Sequence, residues 1–171
     1  MLRVPTIYAR VRRHWLSIRV LTNKGCIGEY EGTASIAVRQ AGAADGEVIA
    51  AGDEAIALDG GQDVHLHHAF NHPRVLIGGF DSALLVVRHF LRRACHGRLP
   101  LLGFTLVLHV QEELEGGLTD VESRALMELG LRAGARKVVI CQEPQTLSDD
   151  EIMQIRPKML TSTWGPNGFI P

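Results

Sequence analysis

The sequence predicts an α/β domain: an antiparallel β meander comes first, βαβ units follow, and the two share a mixed sheet. Two patterns carry that expectation. The opening residues alternate apolar and polar with period two, as half-buried strands do, and Phe104–Glu143 reads as strand, helix and strand in succession. The bulk numbers permit it, because 171 residues with 46% hydrophobic and 22% charged side chains suffice for a domain with its own core.

Ile7, Ala9 and Val11 share one face of the first strand. After the basic turn Arg12-Arg13-His14, the residues Leu16, Ile18 and Val20 alternate with Trp15, Ser17 and Arg19. Asn23-Lys24-Gly25 is a turn signal, and Cys26–Tyr30 is expected to pair as a third strand. Thr33–Arg39, Glu47–Ala51 and Val64–His68 follow as short strands. A loop at Gly42–Gly46 and a short helix at Glu54–Leu58 separate them, so residues 30–75 are expected to form a small β-rich subdomain. Asp81 or Ser82 reads as the N-cap of a helix that runs to about Cys95. Its apolar face would carry Leu84, Leu85, Val87, Phe90, Leu91 and Ala94, and Gly97 stands where a helix stop belongs.

The clearest unit begins at Phe104–Val110, a nearly continuous apolar run suited to a strand covered on both faces. Thr119-Asp120-Val121-Glu122 is a capping box, in which a hydroxyl and a carboxylate satisfy free donors of the first helical turn. Val121, Ala125, Leu126, Leu129 and Ala133 are the expected buried stripe, and Gly134 ends the helix. Lys137–Cys141 is a second apolar strand, parallel to the first by the right-handed crossover rule. Residues 146–171 read as a C-terminal extension, with a helical stretch at Asp149–Ile155 and a turn-rich end carrying Trp164 and Phe169.

Charge and cysteine usage exclude several classes. A net charge of −1 gives no electrostatic case for nucleic acid. Cys26, Cys95 and Cys141 are an odd count without a CxxC pair, so no disulfide framework is expected and a reducing cytoplasm is the expected compartment. No apolar run approaches the roughly 18 residues of a membrane span. Met1–Arg13 lacks the apolar run and small-residue cleavage site of a signal peptide.

Three constellations invite chemistry. His65, His67, His68 and His72 cluster, and His65 and His67 share a strand face as two metal ligands would. His72, Asp63 or Asp81 could supply a third ligand, which leaves His65, His67 and His72 as the metal candidates. The plainer reading is a polar strand edge beside a loop, since no carboxylate or cysteine sits at established ligand spacing. Cys95-His96 suggests a thiolate–imidazole pair, but neighbours on a helix point apart. Gly60-Gly61 and Gly78-Gly79 read as a helix stop and a turn rather than phosphate loops. Arg10, Arg12, Arg13, Arg19 and Lys24 make the first hairpin basic. An amphipathic membrane contact through Met1–Arg13 is weighed against a solvated strand face, and Pro5 with the period-two pattern favours the strand.

A meander followed by βαβ units is also the order of the actin and ribonuclease-H-like fold. Specific residues point the same way. Val48-Ile49-Ala50-Ala51-Gly52-Asp53-Glu54-Ala55 resembles the V-x-A-x-G-x-E-A segment of the bacterial rod-shape-determining actin homologues, the MreB family. Gly117–Ala125, then Ala133-Gly134-Ala135-Arg136-Lys137-Val138, then Glu143-Pro144, is similar to that family's G-x-T-x-V-E-x-R-A … AGAR-x-V … E-P block, with order and spacing kept. Phe80-Asp81 before the long helix fits as well, and the match covers residues 5–145.

The resemblance implies two phosphate loops, and the sequence departs at both. Where the family carries Asp-x-Gly-Thr in its first hairpin, this chain has Val11-Arg12-Arg13-His14-Trp15. Bulky Arg and Trp do not allow the backbone approach to a phosphate that glycine allows. Where a second loop, Asp-x-Gly-Gly-Gly-Thr, would follow Glu143-Pro144, the chain has Gln145-Thr146-Leu147-Ser148. Glu143 matches a family glutamate linked to water activation, with no phosphate or metal to act on. The expectation is therefore a truncated N-terminal half of an actin homologue, without cofactor, catalytic residues or ATPase activity. It would work as a binding or scaffold module through a protein partner or its own homo-oligomer, linked through the resemblance to bacterial cell shape or filament proteins. The alternative is a small metal protein or enzyme built on His65, His67, His68 and His72.

Overall fold

A computed structural model describes residues 4–40, 46–72, 75–112, 117–155, 161–165 and 168–170. Along the chain these form β1 (Thr6–Arg12), β2 (Trp15–Thr22), β3 (Gly25–Thr33), β4 (Ser35–Arg39), β5 (Glu47–Ala51), α1 (Asp53–Ala57) and β6 (Val64–His68). Then follow α2 (Phe80–Ala94), β7 (Thr105–Val110), α3 (Asp120–Arg132), β8 (Lys137–Cys141), α4 (Asp149–Gln154), β9 (Thr161–Gly165) and β10 (Gly168–Ile170).

The strands make two sheets. The larger has the order β10-β9-β8-β7-β1-β2-β3 and the smaller β5-β4-β6. The expected meander is present, with β1 antiparallel to β2 and β2 antiparallel to β3. β1 also pairs in parallel with β7, and β7 with β8, so the sheet is mixed as expected. β1 is thus an inner strand with partners of both kinds. The smaller sheet is antiparallel, β4 lying between β5 and β6.

Each face of the large sheet has its own core. Ile7, Ala9 and Val11 of β1 pack with Leu106 and Leu108 of β7, beneath Phe90 and Leu91 of α2 and Leu126 and Leu129 of α3. Ile36 and Phe70 bring the small sheet onto the same core. On the opposite face Tyr8, Leu21, Val107, Val139 and Cys141 are covered by Leu147 and Ile152 of the α4 segment. The period-two pattern of β1 therefore sorts its residues between two cores rather than between core and solvent.

Four expectations need correction. The helix over 80–94 starts one residue before Asp81: its N-cap is Gly79, in extended conformation and without a side-chain cap, so neither Asp81 nor Ser82 holds that place. Asp81 instead lies in the first turn, where a carboxylate faces the positive end of the helix dipole. Val121 is 78% exposed, because at about 100° per residue it lies roughly 110° around α3 from the middle of the Leu126–Leu129–Ala133 stripe. Leu85 is 42% exposed, while Ala83 and Val86 are buried in its stead. The end of the chain is not merely turns: β9 pairs in parallel with β8, and β10 returns antiparallel to β9. The capping box of α3 is present with both of its hydrogen bonds, and Ser148 with Glu151 makes a second one on α4.

The C-terminal end of α2 lies directly on the backbone of β3. A Cβ placed at Gly28 would sit 2.1 Å from the Ala94 carbonyl oxygen, and backbone cannot swing aside as a side chain can. Gly28→Ala is expected to lower unfolding free energy by about 1–3 kcal/mol or more through overpacking. Ile27→Ala, at an exposed neighbouring position, should stay within roughly 0.5 kcal/mol. Equilibrium urea denaturation of both variants checks this, and equal effects would contradict the packing described.

Candidate functional site

In open sheets with parallel strands, ligands collect outside the carboxyl ends of those strands. Here β1 ends at the Arg13–His14 turn, β7 runs into Gln111 and Glu112, and β8 runs into Gln142 and Glu143. Gly117 and Leu118 lead into α3 beside them, and a cleft of about 340 Å³ opens among Gln111, Glu112, Gly117, Gln142 and Glu143. His14 holds the turn in a left-handed conformation, φ 61°, with its N–H on the Phe70 carbonyl at 2.8 Å.

The turn is already engaged by the chain itself. The Arg13 N–H donates to Glu112 Oε2 at 2.8 Å, and the Arg13 guanidinium lies 3.5 Å from Oε1 of the same carboxylate. Arg12 donates to Gln111 Oε1 at 3.2 Å, and Gln111 Nε2 donates to the Thr146 hydroxyl at 3.0 Å. Arg10 and Arg12 stand 5.1 and 5.6 Å from the Trp15 ring centroid, in cation–π range. In a phosphate loop a turn N–H would meet a ligand oxygen. Here it meets Glu112, so an incoming anion would confront a fixed negative charge.

Beneath the cleft runs a buried polar chain. Tyr8 and His109 are inaccessible to solvent, with the Tyr8 hydroxyl 2.5 Å from His109 Nδ1. His109 Nε2 lies 2.5 Å from the Glu143 carbonyl oxygen, and the Leu147 N–H donates to the Tyr8 hydroxyl at 3.3 Å. A carbonyl only accepts, so the imidazole proton sits on Nε2, and Nδ1 receives the Tyr8 O–H. Every group in the chain is then satisfied with a neutral imidazole. Burial holds the His109 pKa below the usual range, against the pull of the Glu143 carbonyl, and pushes Tyr8 up to about 12. These two residues were missed as a pair by sequence reading, although a histidine inside an apolar strand run was the visible signal.

The other predicted residues are dispersed among structural roles. His67 Nδ1 contacts the Ser82 hydroxyl at 3.1 Å, His68 Nδ1 the Ser35 hydroxyl at 2.7 Å, and His72 Nδ1 accepts from the Val75 N–H at 3.3 Å. Among the described residues no group of three or more His, Cys, Asp or Glu is placed to hold a metal ion. The geometry thus gives no support to a metal centre at His65, His67 and His72, with Asp63 or Asp81 as a further ligand. His96 turns its Nε2 to the Ile27 carbonyl at 3.3 Å, and burial raises the Cys95 thiol pKa, so the two make no nucleophile pair. Gly78 packs against the His72 ring, and Gly61 N–H closes a turn on the Leu58 carbonyl. Lys24 is an exposed turn residue. Met1–Arg3, Pro73 and residues 41–45 lie outside the described residues, as do the side chains of Trp164 and Phe169; Thr6–Arg12 is a strand, not an amphipathic helix.

Beyond α4, the second face of the sheet carries rows of paired charge. Arg10 reaches Ser17 and Glu31, and Arg19 meets Asp149 through two nitrogens, at 2.8 and 3.2 Å. These rows line a shallow depression of about 530 Å³.

Tyr8→Phe removes both the donor to His109 Nδ1 and the acceptor of the Leu147 N–H, and should cost about 1–3 kcal/mol. Acid should act on the same chain. The native imidazole pKa is depressed, so the unfolded chain binds more protons just below about 6.5. Stability from this group is full above that value and is lost as pH falls through the native pKa; His67 and His89, also depressed by burial, add in the same sense. Urea midpoints across this window should fall with acidification, and His109→Gln should flatten the slope. An unchanged slope would contradict the neutral tautomer.

Comparison with known proteins places the fold. Neither a family model nor a curated protein matches the sequence. Among solved structures, MreB5 of Spiroplasma citri bound to ADP is similar with a TM-score of 0.58 and 18% identity, over 81% of this chain and 38% of that one. The same protein bound to AMPPNP is similar with a TM-score of 0.58 and 18% identity, over 84% of this chain and 39% of that one. This chain therefore spans less than two fifths of the length of the chains it matches, and what it shares with these actin-like proteins is the fold.

Proposed function

We propose that this chain is a non-enzymatic, actin-like binding module that acts through its surface and not through a bound nucleotide. The observation that carries the binding half is the turn between α2 and β7. Leu101 there is wholly exposed and Leu102 is 52% exposed. The turn is held, not loose: Gly103 N–H donates to the Pro100 carbonyl at 2.9 Å and Arg136 to the Leu102 carbonyl at 3.3 Å. Two leucines displayed on a fixed turn cost free energy in water that a covering apolar surface returns. A filament protein or a second copy of this chain as that cover, and a link to bacterial cell shape, rest on the sequence resemblance alone. The Arg13–Glu112 engagement supports the non-nucleotide half.

A second reading has its own observation. Arg98, Arg136 and Lys137 are exposed and lie close in sequence or contact to this turn. Apolar tips ringed by cations also suit an anionic lipid surface.

Light scattering on a size column across a range of concentrations should show assembly that Leu101→Ser with Leu102→Ser abolishes while the thermal midpoint holds. A strict monomer that sediments with anionic vesicles, losing them with the same variant or in high salt, would move the assignment to the second reading. A monomer indifferent to vesicles would overturn both. In parallel, magnesium and ATP together should leave the thermal midpoint unmoved; a concentration-dependent rise would contradict the non-nucleotide half.

A further inference from the structure

A third cavity lies away from the strand ends, between the small sheet and α2. It has a volume of about 880 Å³, within the range of small-ligand sites. Val38 and Val48 of the small sheet and Leu85 of α2 supply its apolar wall. Its polar side chains are His65, His67, Ser82 and Gln40, and no acidic residue is among its lining of described residues.

The pattern of donors sets the ligand chemistry. His65 and His67 alternate on β6, so both turn toward the same side of the small sheet. Nδ1 of His67 is engaged by the Ser82 hydroxyl at 3.1 Å, and its Nε2 has no partner among the described residues. Burial and the neighbouring His65 and His68 both disfavour a charged His67. A charged His67 therefore lacks a counter-charge that a bound anion would supply. Among the described residues lining the cavity a cation has no acidic acceptor, and two imidazoles without a third ligand make a poor metal site. Leu85, 42% exposed at the rim, accounts for an apolar residue on an otherwise polar helix face if an apolar chain lies across it.

We propose that the cavity between the small sheet and α2 is a binding site for a carboxylate on an apolar chain, the carboxylate facing His65, His67 and Ser82 and the chain lying on Val38, Val48 and Leu85. Free alkyl acids and the carboxyl end of a peptide share this chemistry. The other charged or titratable groups on the surrounding elements are Arg39 at the end of β4, Glu47 at the start of β5, His68 on β6 and Asp81, Arg88, His89, Arg92 and Arg93 on α2. Glu47 and Asp81 would oppose an anion, and Arg39 would favour it.

The test is titration of the full chain with octanoate, octanamide and N-acetyl-leucine, followed by calorimetry and by the imidazole proton resonances. Octanoate is expected to bind, to shift the His67 signal and to raise its pKa. A rise of about one unit means roughly tenfold tighter binding once the pH is below the free-protein value. Octanamide should not bind. Leu85→Glu, at an exposed position, should abolish binding without loss of thermal stability, and His65→Ala should weaken it. Stronger binding of N-acetyl-leucine than of octanoate identifies a peptide carboxyl end, and the reverse identifies a free acid. Equal binding of octanamide, or no response of His67 to either acid at saturation, would overturn the proposal.

Discussion

The burial of β1 on both faces is the constraint from which the rest follows. Its even and odd residues each need a cover, and no single layer of helices can provide both. α2, α3 and the small sheet close over Ile7, Ala9 and Val11, and the segment around Leu147 and Ile152 closes over Tyr8. A strand so placed can carry a polar side chain only if the partner is built in. His109 on the adjacent strand β7 and the backbone of residues 143–147 are that partner. The hydroxyl and the imidazole therefore fix where the chain goes after β8, and with it the position of α4.

Local patterns were legible in the sequence, and long-range arrangements were less so. The alternation of Ile7, Ala9 and Val11, the capping box at Thr119 and the apolar run of Lys137–Cys141 depend on neighbours a few residues away, and each forms the element it announces. The start of α2 was misplaced because Asp81 and Ser82 are good caps by chemistry, while the extended backbone of Gly79 is set by the loop that delivers the chain. β9 and β10 were missed because they are short and their support comes from pairing, β9 with β8 and β10 with β9.

The candidate site divides in the same way. That a basic turn of bulky residues joins β1 to β2 was legible in the sequence. That its Arg13 N–H meets Glu112 was not, since Arg13 and Glu112 are 99 residues apart. The histidines show the opposite error. Proximity in sequence suggested one cluster, but His67 and His68 point to different faces of β6 and find separate serines, Ser82 and Ser35.

The Arg13–Glu112 contact has a consequence for behaviour over time. A nucleotide is a ligand that comes and goes, and a turn that waits for one has two states. Glu112 is carried on the same chain, so its local concentration at the Arg13 N–H is high and does not vary with the cell's supply. Any anion approaching this turn would first have to part Arg13 from Glu112, so the contact sets a threshold that a dissolved competitor must overcome and a tethered carboxylate does not.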